Sequence, residues 1–458
     1  MSAGGHNVDI RRAASMLLVD ERGRVLVGRR HLELPFMGGF EAFPGGAIEP
    51  EDDGADSPPD PFFRAAVREL LEETGIDLTS SSPTPPVVSW TTPDTWPIRF
   101  ETRFFLAQAP AEPRLSASGE MDHLRFEAPE TLLAGYRQRR IMAAPPTLFL
   151  LEALCETRGW SLPDRRNAMQ ALLSACPEPG DHLEPVCGIR QLPLRTPTLP
   201  PALHTNCFIV GHERVVLVDP ATYLDGERER LHRRVAALEV PVEAVVLTHH
   251  HRDHVGSAQW ASDAFSAPIW AHPNTAQLLP ELRIDRTLDE GDRLDLGFDA
   301  AKDRFELDLL FTPGHAPGHL VLRDLRPGLA PWIVGDMVAG VGTIIVDPDE
   351  GDMGEYIRQL ERMRSFEPGP LLPSHGGPIA ASTEKLDRYV EHRLLRESKV
   401  LDALRRFGGP ARAADLLPVA YEDTPTQVWP LAERSCLAHL VKLANDGQIR
   451  RMNERFSI

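Results

Sequence analysis

The sequence predicts a multidomain α/β protein, and three observations lead there. At 458 residues the chain exceeds what one hydrophobic core supports, and its length suggests roughly two to four domains. Short apolar runs bounded by turn residues alternate with helical periodicities along most of its length. Two clusters of metal-ligating residue types also lie far apart, at 68–75 and 248–254. A content of 42% hydrophobic and 25% charged residues is ordinary for a folded protein, so no long stretch reads as disordered.

The elements follow in chain order. Residues 16–19 and 25–27 are apolar runs around Asp20-Glu21-Arg22-Gly23, which predicts an opening hairpin. A glycine- and proline-rich loop at 37–46 leads into the acidic segment 49–60. A helix is expected over 61–74, because Phe63, Ala66, Leu70 and Leu71 recur at helical spacing and Gly75 is a suitable stop. Phe104, Phe105 and Leu106 read as a later strand. From about 162 to 200 proline, glycine and charge accumulate, as in Cys176-Pro177-Glu178-Pro179-Gly180-Asp181, and a boundary is expected near Gly180. Beyond it, 207–210 and 215–218 read as strands, and strand-like and helical segments alternate to about Pro378, a layered α/β pattern. Small helices close the chain from about Glu397. The expected division is a first domain at 1–165, a linker at 166–187, a second domain at 188–396 and a small third domain at 397–458. No internal repeat is visible.

Charge and cysteine usage narrow the class. A net charge of −18 argues against a general polyanion binder, since such binding rests on Lys and Arg neutralising phosphates. The five cysteines are scattered and form no C-x-x-C pair, so neither a disulfide framework nor a thiolate zinc cluster is suggested. The N-terminus lacks a basic segment followed by a long apolar one, and no run of about 18 apolar residues occurs. A reducing, cytoplasmic setting without a membrane span is expected.

The first cluster is Arg68-Glu69-Leu70-Leu71-Glu72-Glu73-Thr74-Gly75. Glu69, Glu72 and Glu73 stand at i, i+3 and i+4, so their carboxylates can converge on one helix face. Bound Mg²⁺ or Mn²⁺ would relieve their repulsion, because hard ions prefer carboxylate oxygen, and Arg68 could orient one carboxylate. Three glutamates alone fit a solvated acidic face equally well; Gly45-Gly46 before them and Gly75 after them favour the site. Together these residues resemble the Nudix box, G-x5-E-x7-R-E-U-x-E-E-x-G-U with U apolar, whose second half 68–76 matches fully. From Gly46, five residues lead to Asp52 in the acidic place, and fifteen rather than seven then separate Asp52 from Arg68. Starting at Gly54 restores both spacings with Asp60 in that place, at the expense of the Phe43-Pro44-Gly45-Gly46 lead-in; an insertion is the preferred reading. The resemblance implies an α/β/α sandwich, Glu72 and Glu73 as metal ligands, and Glu69 as a ligand or as the catalytic base for the attacking water. The implied chemistry is cleavage of a diphosphate linked to a further group, with Gly46 and Arg68 positioning. Trp90-Thr91-Thr92-Pro93 and the segment 99–105 resemble the coenzyme A diphosphatase branch. Glu120 is a candidate for a further acidic residue, or an ordinary surface glutamate.

The second cluster is Thr248-His249-His250-His251-Arg252-Asp253-His254, directly after the apolar run 245–247. Imidazole and carboxylate suit zinc, and a loop at a strand's end can aim several ligands at two adjacent ions. With Thr312-Pro313-Gly314-His315, Val334-Gly335-Asp336 and Leu372-Pro373-Ser374-His375-Gly376, it resembles the motif set of the metallo-β-lactamase superfamily, in family order. That resemblance implies an αββα sandwich holding two Zn²⁺, or Mn or Fe. One ion would take His249, His251 and His315 and the other Asp253, His254 and His375, with Asp336 bridging and Asp253 also catalytic. Asp219 is expected to support a ligand from behind. His250 carries no ligand role, and His272 is evenly a substrate contact or a loop residue.

Within the superfamily, 188–458 resembles the lactamase-β-like protein 2 group, including its helix at 389–397 and a small winged-helix appendage. The family chemistry is hydrolysis of a thioester, ester or phosphodiester by metal-bound hydroxide. The expected partners are a small-molecule nucleotide, a CoA-type molecule or a thioester, with no membrane; the oligomeric state stays open. Animal members cleave single-stranded RNA, so RNA stays open as a partner, with the Nudix part then recognising a nucleotide or regulating. Arg393 and Arg396 read either as phosphate contacts or as helix-surface ion pairs.

Overall fold

The computed structural model describes residues 10–53, 60–94, 96, 98–111, 113–116, 119–175 and 182–458. The chain divides into two compact units, one of residues 1–193 with 327–329, the other of residues 194–326 with 330–458. The expected boundary near Gly180 and the alternative start at Gly54 lie outside the described residues.

The first unit is built on strands β1 (Ile10–Val19), β2 (Val25–Arg30), β3 (Phe40–Ala42), β4 (Gly45–Ala47), β5 (Val88–Thr91), β6 (Arg99–Gln108), β7 (Met121–Glu127) and β8 (Met142–Ala143). They form one sheet of order β5-β6-β1-β2-β3-β8, with β4 added to β1 and β7 to β2. β1 and β2 are the expected hairpin, and Asp20 closes its turn by accepting from the backbone N–H of Arg22 at 2.9 Å and of Arg24 at 2.8 Å. β1 pairs in parallel with β6 along its whole length, Ile10 facing Arg99 and Val19 facing Gln108. Alternating side chains of β1 therefore feed two cores. Met16 and Leu18 pack on one face with Phe63, Ala66 and Leu70, and Leu17 and Val19 pack on the other with Leu150, Leu154, Met169 and Leu173.

Helices cover both faces: α1 (Pro50–Asp53) and α2 (Pro61–Thr74), then α3 (Pro129–Arg137), α4 (Pro145–Glu156) and α5 (Leu162–Ala175). α2 has the predicted bounds. Asp60 caps it by accepting from Phe62 N, and Gly75 ends it at φ 76°, donating to Leu71 O. Leu71, at helical spacing with Phe63, Ala66 and Leu70, faces outward. α5 continues as helix through 166–175 of the stretch expected as a linker. Its buried Arg165, Met169 and Leu173 recur every fourth residue, a sparse stripe that the local charge and proline content masked. The hairpin β9 (Leu183–Val186) and β10 (Ile189–Arg195) follows.

The second unit holds two sheets. In the first, β11 (His204–Gly211) is antiparallel to β12 (Val215–Val218), and β13 (Val242–Leu247), β14 (Ile269–Ala271) and β15 (Arg286–Thr287) continue it in parallel. The second has the order β16 (Arg293–Phe298), β17 (Arg304–Phe311), β18 (Leu320–Asp324), β19 (Trp332–Gly335), β20 (Leu371–Pro373). Helices α6 (Asp225–Ala236), α7 (Arg252–Val255), α8 (Ala258–Phe265) and α9 (Pro273–Leu278) belong to the first half, and α10 (Met353–Ser365) and α11 (Ser382–Phe407) to the second. β12 and β13 are buried throughout or nearly so, the signature of strands covered on both faces. α11 runs unbroken through residue 397, with Leu386 in the core of the second sheet and Val400, Ala403 and Leu404 in a separate core. That last core is completed by α12 (Ala413–Ala420), α13 (Trp429–Asn445) and the hairpin β21 (Arg450–Met452) and β22 (Arg455–Ser457). No described helix is long and apolar enough to cross a membrane.

Candidate functional site

Four segments at the C-terminal ends of strands carry the expected ligands in the second unit. β13 delivers His249, His251, Asp253 and His254, β17 leads to His315, β19 to Asp336 and β20 to His375. The ligand atoms of His249, His251, His315 and Asp336 lie within 4.8 Å of one another, and so do those of Asp253, His254 and His375. Asp336 faces both sets, with Oδ2 at 3.5 Å from His315 Nε2 and 3.6 Å from His254 Nε2 and Oδ1 at 3.5 Å from His375 Nε2. The residues thus fall into the two expected triples around one carboxylate.

Hydrogen bonds behind the cluster decide which nitrogen each imidazole presents. Asp219, at φ 50°, accepts from Thr248 N at 2.8 Å and Thr248 Oγ1 at 2.6 Å, and its Oδ2 lies 2.8 Å from His254 Nδ1. Because the Thr248 hydroxyl donates to Asp219, its oxygen accepts from His249 Nδ1 at 3.0 Å. Ile345 O takes the Nδ1 proton of His315 at 2.8 Å, and His204 O that of His375 at 3.0 Å. His249, His254, His315 and His375 each therefore turn Nε2 inward. His251 is turned the other way, since Glu350 Oε1 holds its Nε2 at 2.7 Å and leaves Nδ1 facing His249 and His315.

Electrostatics agree with an ion-binding role. Burial, reinforced by neighbouring imidazoles, pushes His249 well down and His315 to about 4, which keeps both neutral. Burial also opposes charge on His254, but Asp336, Asp219 and Asp253 override it and hold its pKa well above the usual value. Burial would raise Asp336, but His375 and His254 hold it well below the usual carboxylate range. Among the described residues, His254 Nε2 and Asp336 Oδ1 are buried without a close hydrogen-bond partner, facing Asp336 Oδ2 at 3.6 Å and His375 Nε2 at 3.5 Å respectively. The donor set, two borderline-to-hard N/O triples sharing a carboxylate, fits a pair of divalent ions.

Some participants were not anticipated. Glu350 bridges His250 and His251, accepting from His250 Nε2 at 2.8 Å. His319 is fully buried and accepts from Asp336 N at 3.0 Å, so it fixes the loop that carries Asp336. A Cβ at Gly335, whose φ is 49°, would sit 2.4 Å from His319 Nε2, which requires glycine there. His272 caps α9 by accepting from Asn274 N at 3.1 Å and stacks on Phe311. Arg393 is buried and donates to Ile344 O, while Arg396 donates to Ala420 O at 2.6 Å and Asp423 at 2.9 Å. A cavity of about 570 Å³ opens over the cluster and includes both arginines in its wall.

In the first unit, Asp52 stands in the acidic place. It is buried and 2.9 Å from Arg68 Nη2, whereas Asp60 caps α2 and pairs with Arg103. Asp52, the acidic residue of the insertion reading, is thus the one that meets Arg68. Arg68 Nη1 also holds Glu69 at 2.9 Å and Glu72 at 3.1 Å, and Glu73 accepts from Gly45 N at 2.8 Å. A Cβ at Gly46 would sit 2.3 Å from Glu69 Oε1, so glycine there makes room for the carboxylate. Burial raises Glu69 and pushes Glu73 up to about 7, and Glu120 adds to both shifts, which places it within electrostatic reach of the cluster. Among the described residues, the glutamates are not a group whose three ligand oxygens meet within 4.8 Å. Such an arrangement suits Mg²⁺, which binds through one or two carboxylates and completes its shell with water and substrate phosphates.

Fold and site together define a hydrolase with a candidate metal-binding cluster of histidines and aspartates. The chain belongs to the metallo-beta-lactamase superfamily, which it matches over residues 200–375, with a NUDIX domain at 9–144 and a beta-lactamase associated winged helix domain at 413–455. It is similar to the beta-lactamase-like protein 2 homolog of Drosophila melanogaster, 27% identical over 259 residues that cover 54% of this chain and 84% of that protein. It is also similar to the hydroxyacylglutathione hydrolase GloC of Haemophilus influenzae, 31% identical over 178 residues, 35% of this chain and 78% of that protein. A solved beta-lactamase domain protein from Burkholderia ambifaria shares the fold, with a TM-score of 0.52 and 22% identity over 62% of this chain and 95% of that one.

Proposed function

We propose that the chain is a bifunctional metal-dependent hydrolase. The NUDIX site cleaves a nucleoside-diphosphate-linked or CoA-type diphosphate, and the histidine site hydrolyses an acyl thioester or ester. The observation that carries the second half is the pair of ligand triples around Asp336, with His254 Nε2 and Asp336 Oδ1 buried and, among the described residues, without a close hydrogen-bond partner. Two divalent ions bound there would supply Lewis acidity for hydrolysis near neutral pH. His249, His254, His315 and His375 would hold them through Nε2, His251 through Nδ1, and Asp253 and Asp336 through carboxylate oxygen. Asp219, Thr248 and Glu350 fix the tautomers, and the cavity over Asp253 and Asp336 receives the substrate. The name of the Haemophilus relative, a hydroxyacylglutathione hydrolase, supports the thioester reading.

In the NUDIX half, Glu69, Glu72 and Glu73 would hold Mg²⁺ or Mn²⁺ against the substrate's phosphates, with Arg68 and Gly46 setting the pose of Glu69. The domains at 1–165, 188–396 and 397–458 would act in one chain, inside the cell. The test is a substrate screen with paired variants. Release of phosphopantetheine or a mononucleotide should be lost in Glu72→Gln and kept in His251→Ala, and thioester hydrolysis should show the reverse. A Glu72→Gln protein equal to the wild type on every diphosphate would remove the first activity, and RNA cleavage lost in Asp253→Ala without thioesterase activity would replace the second.

A further inference from the structure

The cavity over the histidine site has walls of unusual character for a hydrolase with a nuclease among its candidate activities. At about 570 Å³ it falls within the range of small-molecule sites, about 300–1,000 Å³. Its floor is the ligand cluster, but its sides are apolar: Leu199 and Pro201 from one loop, Ile344 from a second, and Val428 and Leu431 from the C-terminal domain. Leu199 and Val428 are 50% and 42% exposed, and both open onto this one cavity. Single exposed apolar residues are common, but two that converge over a reactive centre form a binding surface.

Among the charged side chains lining the cavity beyond the ligand cluster, Arg396 and Asp347 are ion-paired and Arg393 is buried against a backbone carbonyl. Arg393 donates to Ile344 O, and Arg396 donates to Ala420 O and Asp423 and lies 4.3 Å over the Tyr421 ring. Asp347 is held by Arg434. A polyphosphate strand needs cations free to neutralise it, whereas an apolar chain needs only surface to displace water. Taking the acyl-transfer reading of this site as the basis, we propose that the cavity binds the apolar acyl chain of a thioester or ester, and that Val428 and Leu431 of the C-terminal domain set the chain length accepted. In the reaction the acyl–sulfur bond is replaced by an acyl–oxygen bond from water, one water hydrogen leaves on the thiol, and the acid formed ionises. The C-terminal domain is then a specificity wall of the active site.

The test uses the full chain, zinc-loaded, with p-nitrophenyl esters and N-acetylcysteamine thioesters from acetyl to octanoyl. Each buried methylene contributes about 0.8 kcal/mol, so kcat/KM should rise about fourfold per added methylene until the cavity is filled. Leu431→Gln and Val428→Glu should flatten that slope, and calorimetric titration should show octanoate binding weakened by both while acetate binds none of the three proteins. Val428 is exposed, so its variant keeps the fold, which circular dichroism checks. Equal kcat/KM for acetyl and octanoyl substrates in an active wild type overturns the acyl pocket and leaves the hydrolase reading intact. Absence of all thioester and ester hydrolysis alongside RNA cleavage overturns both.

Discussion

Replacing Asp219 by asparagine isolates the device that sets one half of the histidine site. The carboxylate is buried and serves three groups, all equally buried: Thr248 N, Thr248 Oγ1 and His254 Nδ1. Asparagine has almost the same shape but offers one acceptor oxygen and one donor. If the oxygen stays on Thr248 N, the amide nitrogen falls where Oδ2 met both Thr248 Oγ1 and His254 Nδ1. A donor there meets the N–H of His254, and the conflict is relieved when the proton moves to Nε2, which removes the lone pair facing Asp253 and Asp336. Loss of such a supporting group lowers metal affinity about 10–100-fold, or about 1.4–2.8 kcal/mol. The loss should be largest at the ion of Asp253, His254 and His375, with a smaller one reaching the other ion through Thr248 Oγ1 and His249 Nδ1. The assay is zinc titration against a chromophoric chelator, with His251→Ala as the converse variant that weakens the first ion. An Asp219→Asn protein that folds and binds both ions with wild-type affinity would refute the tautomer argument.

The remaining predictions concern both units. Gly46→Ala should displace the Glu69 carboxylate, since the new Cβ would sit 2.3 Å from Oε1. Because only a side-chain end must move, melting temperature should change little while Mg²⁺-dependent diphosphate cleavage falls on the order of a hundredfold. The Glu73 carboxyl, pushed from 4.5 to about 7 by burial, holds its proton more tightly in the folded state than in the unfolded one. Metal-free stability should therefore decline as pH rises from 4.5 to about 7, by on the order of 3 kcal/mol from this group, and Glu73→Gln should remove that slope in pH-resolved thermal melts. Mg²⁺ needs the ionised form, so its affinity should climb over the same interval. Arg326 lies buried between Asp299 at 3.0 Å and Asp324 at 2.7 Å. Arg326→Ala would strand two buried carboxylates and should cost about 3–5 kcal/mol of stability, read as a drop in denaturation midpoint.

What the sequence disclosed depended on how local the physics was. The H-x-H-x-D-H run was legible because one strand end carries four of the ligands, and His315, Asp336 and His375 each sit beside glycine in short motifs at other strand ends. Helix α2 was legible to the residue because its stop is local, a left-handed Gly75. The choice between Asp52 and Asp60 was not, since it turns on which carboxylate reaches Arg68 across an inserted segment. Glu350 left no trace: it meets His251 from 99 residues away and carries no motif of its own. His319 did leave one, four residues after His315 in Thr312-Pro313-Gly314-His315-Ala316-Pro317-Gly318-His319, but a histidine without an open coordination role does not read as a support. Helix α5 was hidden because only three of its residues are buried, among proline and charge.

The central claim is that two metal ions share Asp336, and anomalous diffraction at the zinc edge from crystals of the zinc-loaded full chain tests it most directly. Two peaks are predicted, one about 2.0–2.1 Å from His249 Nε2, His251 Nδ1 and His315 Nε2, the other about as far from the Asp253 carboxylate, His254 Nε2 and His375 Nε2, with Asp336 between them. No peak among these residues, or one at Glu350 and His250 in their place, would contradict it.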